Sequence, residues 1–188
     1  MPINYYRYSF LLSFLLLSFI SFGQSRVDSI NITWTKYIIL NDQNKVLLRY
    51  DDSYKAWELT GCGYEGPISF KNLMDSVAQF LGIKYGRYKL GGVFSYTRPG
   101  RYRATVKPYY VVHFTGYSNG KTFSDTLNTK WVSVDEAKKI IPYPTMVMIL
   151  NQLTKYPNNV WGGAFEEYNY DPPSATKWKV IEPFYKLN

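Results

Sequence analysis

Four cations crowd into the segment Thr97-Arg-Pro-Gly-Arg-Tyr-Arg-Ala-Thr-Val-Lys107-Pro108. Guanidinium and ammonium groups at that density suit phosphate or carboxylate oxygens, which arginine can grip with two parallel hydrogen bonds. Arg98, Arg101 and Arg103 are the candidate ligand contacts there, with Lys107 behind them. Arg49, near the end of the strand-like run KVLLRY, and Gln79, on the helical segment that follows, complete the candidate set. A solvated basic hairpin is the competing reading of the same cations.

Other spacings mimic chemistry without supporting it. "GCGYEG" at 61–66 fits the dinucleotide fingerprint in letters, but two strand-like runs precede it and Pro67 separates it from the next helix. A nucleotide-binding turn must join the first strand of a βαβ unit directly to a helix. Gly120-Lys-Thr122 has one residue too few after Gly116 to make a phosphate loop. His113 is the only histidine and Cys62 the only cysteine, so a histidine-based triad or a His/Cys zinc site lacks partners. His113 reads as a core or edge residue. No catalytic residue and no metal ligand is nominated.

The elements that must position these groups follow from the pattern. MPINYYRYSFLLSFLLLSFISFGQ has one early cation, Arg7, an apolar run to Phe22, and small residues at 21 and 23, the layout of a secretory signal peptide. The run is too short for a membrane span. The expected arrangement is therefore a signal peptide over 1–23 and export to a periplasmic or extracellular location, with no stable span left after cleavage. Residues 1–23 hold one cation and no acid, so 165 residues remain and the charge falls from +8 to +7. That balance favours anionic partners. A lone cysteine leaves no internal disulfide, so the core must stabilise the chain unaided.

Tyr37–Leu40 and Lys45–Tyr50 read as strands joined by the turn-forming Asn41-Asp-Gln-Asn44, and Trp57–Thr60 as a third. Ser69 is an N-cap for a helix whose apolar positions, Phe70, Leu73, Met74, Val77, Phe80 and Leu81, make one stripe ending at Gly82. Leu90–Tyr96, Ala104–Thr115 and Thr122–Val132 are β-rich, with Asn119-Gly120 as a hairpin turn between the last two. Ser133-Val-Asp-Glu136 caps a helix that stops before Pro142, and another runs from about Thr145 to Thr154. The aromatic, Pro-interrupted segment 156–188 suits either an added strand or an arm.

In this order, with "WELTG" before the first helix and "TKWVSVDEAKKII" near the end, the chain resembles the Nudix hydrolase family over about residues 33–155. The family box, G-x5-E-x7-R-E-U-x-E-E-x-G-U, places its glycines on Gly61 and Gly82 and its aliphatic positions on Val77 and Ile83. The resemblance implies an α/β (α+β) fold, a Nudix-like α/β/α sandwich with a curved mixed sheet. It also implies a domain over 24–155, an extension over 156–188, and a turn at the glycines entering the helix.

The acids are missing. Pro67 stands where the box has its first glutamate, Asp75-Ser76 where it has Arg-Glu, and Gln79-Phe80 where it has Glu-Glu. Carboxylates at 76, 79 and 80 would share one helix face and hold Mg²⁺ against a pyrophosphate. The expected protein is a non-catalytic module, without a cofactor, for an anionic, nucleotide-like ligand or a protein partner. The alternative is a divergent hydrolase of nucleoside diphosphate derivatives, using Mg²⁺ or Mn²⁺ held by Glu58, Glu65, Glu136, Glu166 or Glu167. Specific nucleic-acid binding has no reading helix or motif to support it.

Overall fold

The computed structural model describes residues 33–64, 66–100, 104–118, 128–168 and 172–188. The apolar leader, Glu65, Arg101, Arg103 and the Asn119-Gly120 turn lie outside them. The first turn forms as its composition requires. Asn41 Oδ1 accepts from the amides of Gln43 and Lys45 at 3.0 and 2.9 Å, and Asn44 adopts φ 55°. Asparagine tolerates that left-handed backbone better than most residues. The turn joins antiparallel strands β1 (Trp34–Leu40) and β2 (Val46–Asp51), and β3 (Ala56–Leu59) pairs antiparallel with β2 from Leu48 to Asp51.

β1 and β2 share a single register pair, Leu40↔Val46, and the short strand β4 (Gly61–Gly63) takes up the rest of β1. Gly61 and Gly63 thus lie in a strand, whereas the sequence suggests a turn. The cause is steric. A Cβ on Gly61 would lie 2.5 Å from Lys36 Cδ and 2.7 Å from the Thr35 carbonyl oxygen, so the position needs glycine to let the lysine stem pass. The turn itself falls at Gly66, with φ 76°, followed by Pro67.

Helix α1 spans Phe70–Leu81, with Ser69 Oγ accepting from Asn72 N at 3.1 Å and Gly82 capping at φ 65°. Leu73, Met74, Val77, Ala78 and Leu81 are buried, but Phe70 and Phe80 are exposed and do not join the stripe. Phe80 sits one position to the side of the buried rows, and 54 % of it meets solvent.

The long strands β5 (Ile83–Thr97) and β6 (Thr105–Tyr117) pair antiparallel, with irregular register between Lys84 and Gly92. β6 also runs parallel to β1. β7 (Thr129–Val132) pairs with β2, and the part of the expected hairpin next to its turn, residues 119–127, lies outside the described residues. Val132 lies over the β2 core, and the Trp131 indole packs on Phe114 and donates to Tyr117 Oη at 3.0 Å.

Helices α2 (Val134–Ile140) and α3 (Pro144–Lys155) follow, the first capped by Ser133. Segment 156–188 supplies strands β8 (Trp161–Tyr168), parallel to β5, and β9 (Lys177–Lys186), linked through a 3₁₀ turn at Pro173–Ala175. The open mixed sheet runs β3-β2-β1-β6-β5-β8-β9. Alternation along β1 and β2 gives it two cores. Ile38, Val46 and Leu48 pack with Ala137, Ile149 and Leu150 of α2 and α3, while Tyr37, Ile39 and Leu47 pack with Met74, Val77 and Leu81 of α1. This is an α+β sandwich with helices on both faces. No helix among the described residues is long and apolar enough to cross a membrane.

Candidate functional site

The site is assembled from β2, β3, β7 and the exposed side of α1. Arg49 is the organising residue. Its Nη2 lies 3.4 Å from Asp51 Oδ2 and 4.0 Å from Glu58 Oε1, and its guanidinium carbon sits 6.0 Å from the centroid of the Phe80 ring. Cross-strand register places Glu58 of β3 on one side of it and Thr129 of β7 on the other. Arg49 Nε and Thr129 Oγ1 are both buried, and neither has a hydrogen-bond partner among the described residues. Burying such groups unpaired costs about 1–3 kcal/mol each, so a neighbouring pair of them marks a place where a ligand or a water belongs.

Glu58 and Glu167 are not the solvated carboxylates that their sequence setting suggests. Glu58 Oε2 accepts from Lys36 Nζ at 2.8 Å, and the lysine, only 4 % exposed, also donates to the Leu59 carbonyl at 3.1 Å. Glu167 is 2 % exposed; it accepts from the Thr145 hydroxyl at the start of α3 and lies 3.9 Å from Lys107 Nζ. Lys107 also lies 3.7 Å from the centroid of the Tyr96 ring. Burial of that ammonium outweighs the pull of Glu167 and, with Lys36 and Arg98 nearby, lowers its pKa to about 8. This holds although 19 % of the Lys107 side chain touches solvent, because the charged end faces the ring. Burial, then the nearby carboxylates led by Glu58, holds the Tyr143 phenol well above its ordinary range. Glu136 is exposed at the start of α2.

Of the candidate ligand contacts, the structure places Arg49 in this recess and Arg98 beside Lys107, close enough for its charge to be felt there. Gln79 is exposed on α1 and lines a different feature, an open groove of about 620 Å³ between α1 and β5 with Lys71, Asp75, Lys84, Tyr85 and Tyr88. The one acid lining the groove is already engaged: Asp75 is 2.6 Å from Lys71 Nζ and accepts from Tyr85 Oη. Those contacts, Lys71 first, hold the Asp75 carboxyl below its usual range. Among the buried side-chain atoms without a hydrogen-bond partner among the described residues, Arg49 Nε is the one on a cation, and the candidate site is placed there. Lys36 escapes sequence reasoning altogether. The one hint is the glycine at 61, opposite it in β4.

The box face of α1 does not suit a hard divalent cation. Ser76, Gln79 and Phe80 offer a hydroxyl, an amide and a ring; Ser76 Oγ is bonded to the Asn72 carbonyl at 2.9 Å, and Asp75 is held by Lys71 and Tyr85. Among the described residues no three His, Cys, Asp or Glu side chains come together to hold a metal. Such a cation needs several oxygen ligands, usually including carboxylates. His113 is half-exposed on β6, with Nε2 3.4 Å from Asp42 Oδ1. Cys62 is half-buried, and burial raises its pKa.

Comparison with known proteins defines the class through the fold. No family model matches the sequence, and no curated protein matches it. The solved structures it superposes on include Nudix hydrolases, and the chain has a Nudix-like fold. A MutT protein from Bacillus halodurans matches with a TM-score of 0.63 at 18 % identity, over 81 % of this chain and 99 % of its own. A UDP-X diphosphatase matches at 0.53 and 14 % identity, over 76 % of this chain and 71 % of its own. The Caenorhabditis elegans Ap4A hydrolase matches at 0.51 and 12 % identity, over 68 % and 99 %.

Proposed function

We propose that this chain is an exported Nudix-fold protein that binds an anionic, nucleotide-like small molecule without hydrolysing it by the metal-dependent route. The observation that carries the reading is the buried Arg49 Nε, without a hydrogen-bond partner among the described residues, beside an α1 face where Ser76, Gln79 and Phe80 stand in place of carboxylates. An arginine anchored through Nη2 and left with a spare N–H is preset to donate to one oxygen of a phosphate or carboxylate. Phe80 offers a ring face next to it, which suits a base. Two structural neighbours are named for UDP-X and Ap4A, both nucleotides with phosphoryl groups, and this supports the ligand class. Export rests on the leader at residues 1–23.

Titration calorimetry with UDP and ADP, in the presence of a chelator, tests the reading. Binding of either that weakens at least tenfold in Arg49→Gln is the expected result. Absence of binding, or metal-dependent release of phosphate or nucleoside monophosphate from a pyrophosphate panel with Mg²⁺ or Mn²⁺, overturns it. If release occurs, Glu58→Gln, Glu65→Gln and Glu136→Gln identify whether acids outside the box support the hydrolase reading. Amino-terminal sequencing of the protein recovered outside the cytoplasm tests cleavage near Gly23.

A further inference from the structure

We propose that strand β9 is a docking rim for an anionic lipid surface. β9 is the edge of the sheet, paired with β8 on one side and with nothing described on the other. Such an edge normally offers its backbone to another strand. Here Pro183, in the middle of the strand, has no N–H to give, and three lysines flank it. Proline and lysine on an edge are the usual means of preventing strand addition. Recognition at this edge therefore falls to side chains.

Those side chains combine two chemistries. Trp178 is 40 % exposed and Ile181 53 %, and Tyr185 and Leu187 are likewise open to solvent. Apolar groups of this size clustered at one edge mark a contact surface. Lys177, Lys179 and Lys186 stand among them against a single acid, Glu182, giving the strand a net charge of +2. Tryptophan and tyrosine suit the boundary between headgroups and acyl chains, since one end of each ring is apolar and the other polar. Lysines bring their stems onto the apolar layer and leave the ammonium among the phosphates. A second protein strand would meet a ladder broken at Pro183 and flanked by lysines, and an acidic partner alone would not use Ile181 or Leu187. An anionic bilayer surface uses both sets.

Vesicle sedimentation provides the test, with phosphatidylcholine alone and with phosphatidylcholine mixed with phosphatidylglycerol. The full chain is used, and beside it the chain from Gln24 once a cooperative melt shows that it folds. Expected is partition onto the phosphatidylglycerol vesicles well above that onto phosphatidylcholine. Lys177→Gln and Lys179→Gln should each reduce it about fivefold, as for a cation near a charged bilayer. Ile181→Ser should weaken it further while leaving the melting temperature unchanged, since the side chain is exposed. Equal partition onto both vesicle types, or lysine variants that bind like the parent, overturns the proposal. So does light scattering that shows a dimer lost in Ile181→Ser, because the rim would then face a second copy.

Discussion

Lys107 and Arg49 are both cations set into one sheet, and they are completed differently. Around Lys107 the buried charges answer one another: Glu167 takes the ammonium on one side and the Thr145 hydroxyl on the other, and the Tyr96 ring closes the remaining approach. Around Arg49 the carboxylates of Asp51 and Glu58 engage Nη2, while Nε and Thr129 Oγ1 stay buried without hydrogen-bond partners among the described residues. The first arrangement is a closed network whose loss would harm the fold. The second is open among the described residues, and under the proposed function a ligand would complete it. The difference offers a way to tell charge that serves the fold from charge left for a ligand.

The largest effect should come from breaking the closed network. Glu167→Ala leaves Lys107 buried without its carboxylate and should cost about 3–5 kcal/mol, read as a lower midpoint in chemical unfolding. If the variant unfolds like the parent, the network is not closed in the sense argued. Next is the opposite manipulation at the open site. Ser76→Glu, Gln79→Glu and Phe80→Glu together rebuild the acidic face on exposed positions of α1. The triple variant should gain about 2.7 kcal/mol of stability in Mn²⁺ at a hundredfold excess over its dissociation constant, and the parent should gain nothing. A melting temperature indifferent to Mn²⁺ in both would show that the backbone no longer supports the metal geometry.

A pH series sharpens the comparison from the Lys107 side. Its folded pKa, about 8, lies below the ordinary 10.5. Between those values the unfolded chain holds a proton that the folded protein has released. Stability therefore rises with pH across that window, by on the order of 2 kcal/mol once solvent contact is discounted. Lys107→Met should remove the rise, and an unchanged slope would assign it to other groups. The smallest expected effect is Ser69→Ala, which removes the α1 cap and should cost about 1 kcal/mol without altering ligand binding at Arg49.

Local signals made much of the fold legible. Asn41 and Asn44 mark their turn, Ser69 and Gly82 bracket α1, and Ser133 opens α2, because each acts through hydrogen bonds or backbone preferences within a few residues. Longer-range features were hidden. The irregular register between Lys84 and Gly92 breaks the alternation that would have announced the full length of β5. The pairing of β7 with β2 depends on where Trp131 and Val132 find a core. At the site, the sequence showed which acids α1 lacks and singled out Arg49 as a candidate contact. It could not show that Lys36 and Glu167 are buried, since a lone lysine or glutamate in a strand looks the same as one in water.

Gly61 also bears on how family signatures are read. Position 61 matches the first letter of the box, yet what demands a hydrogen there is the aliphatic stem of Lys36 crossing to Glu58. Positions 36 and 61 are thus interlocked: enlarging the smaller forces the larger to move and strands a carboxylate partner. A conserved-looking letter in a degenerate motif can persist because a neighbour has come to occupy the space, with no part left in the reaction for which the motif is named.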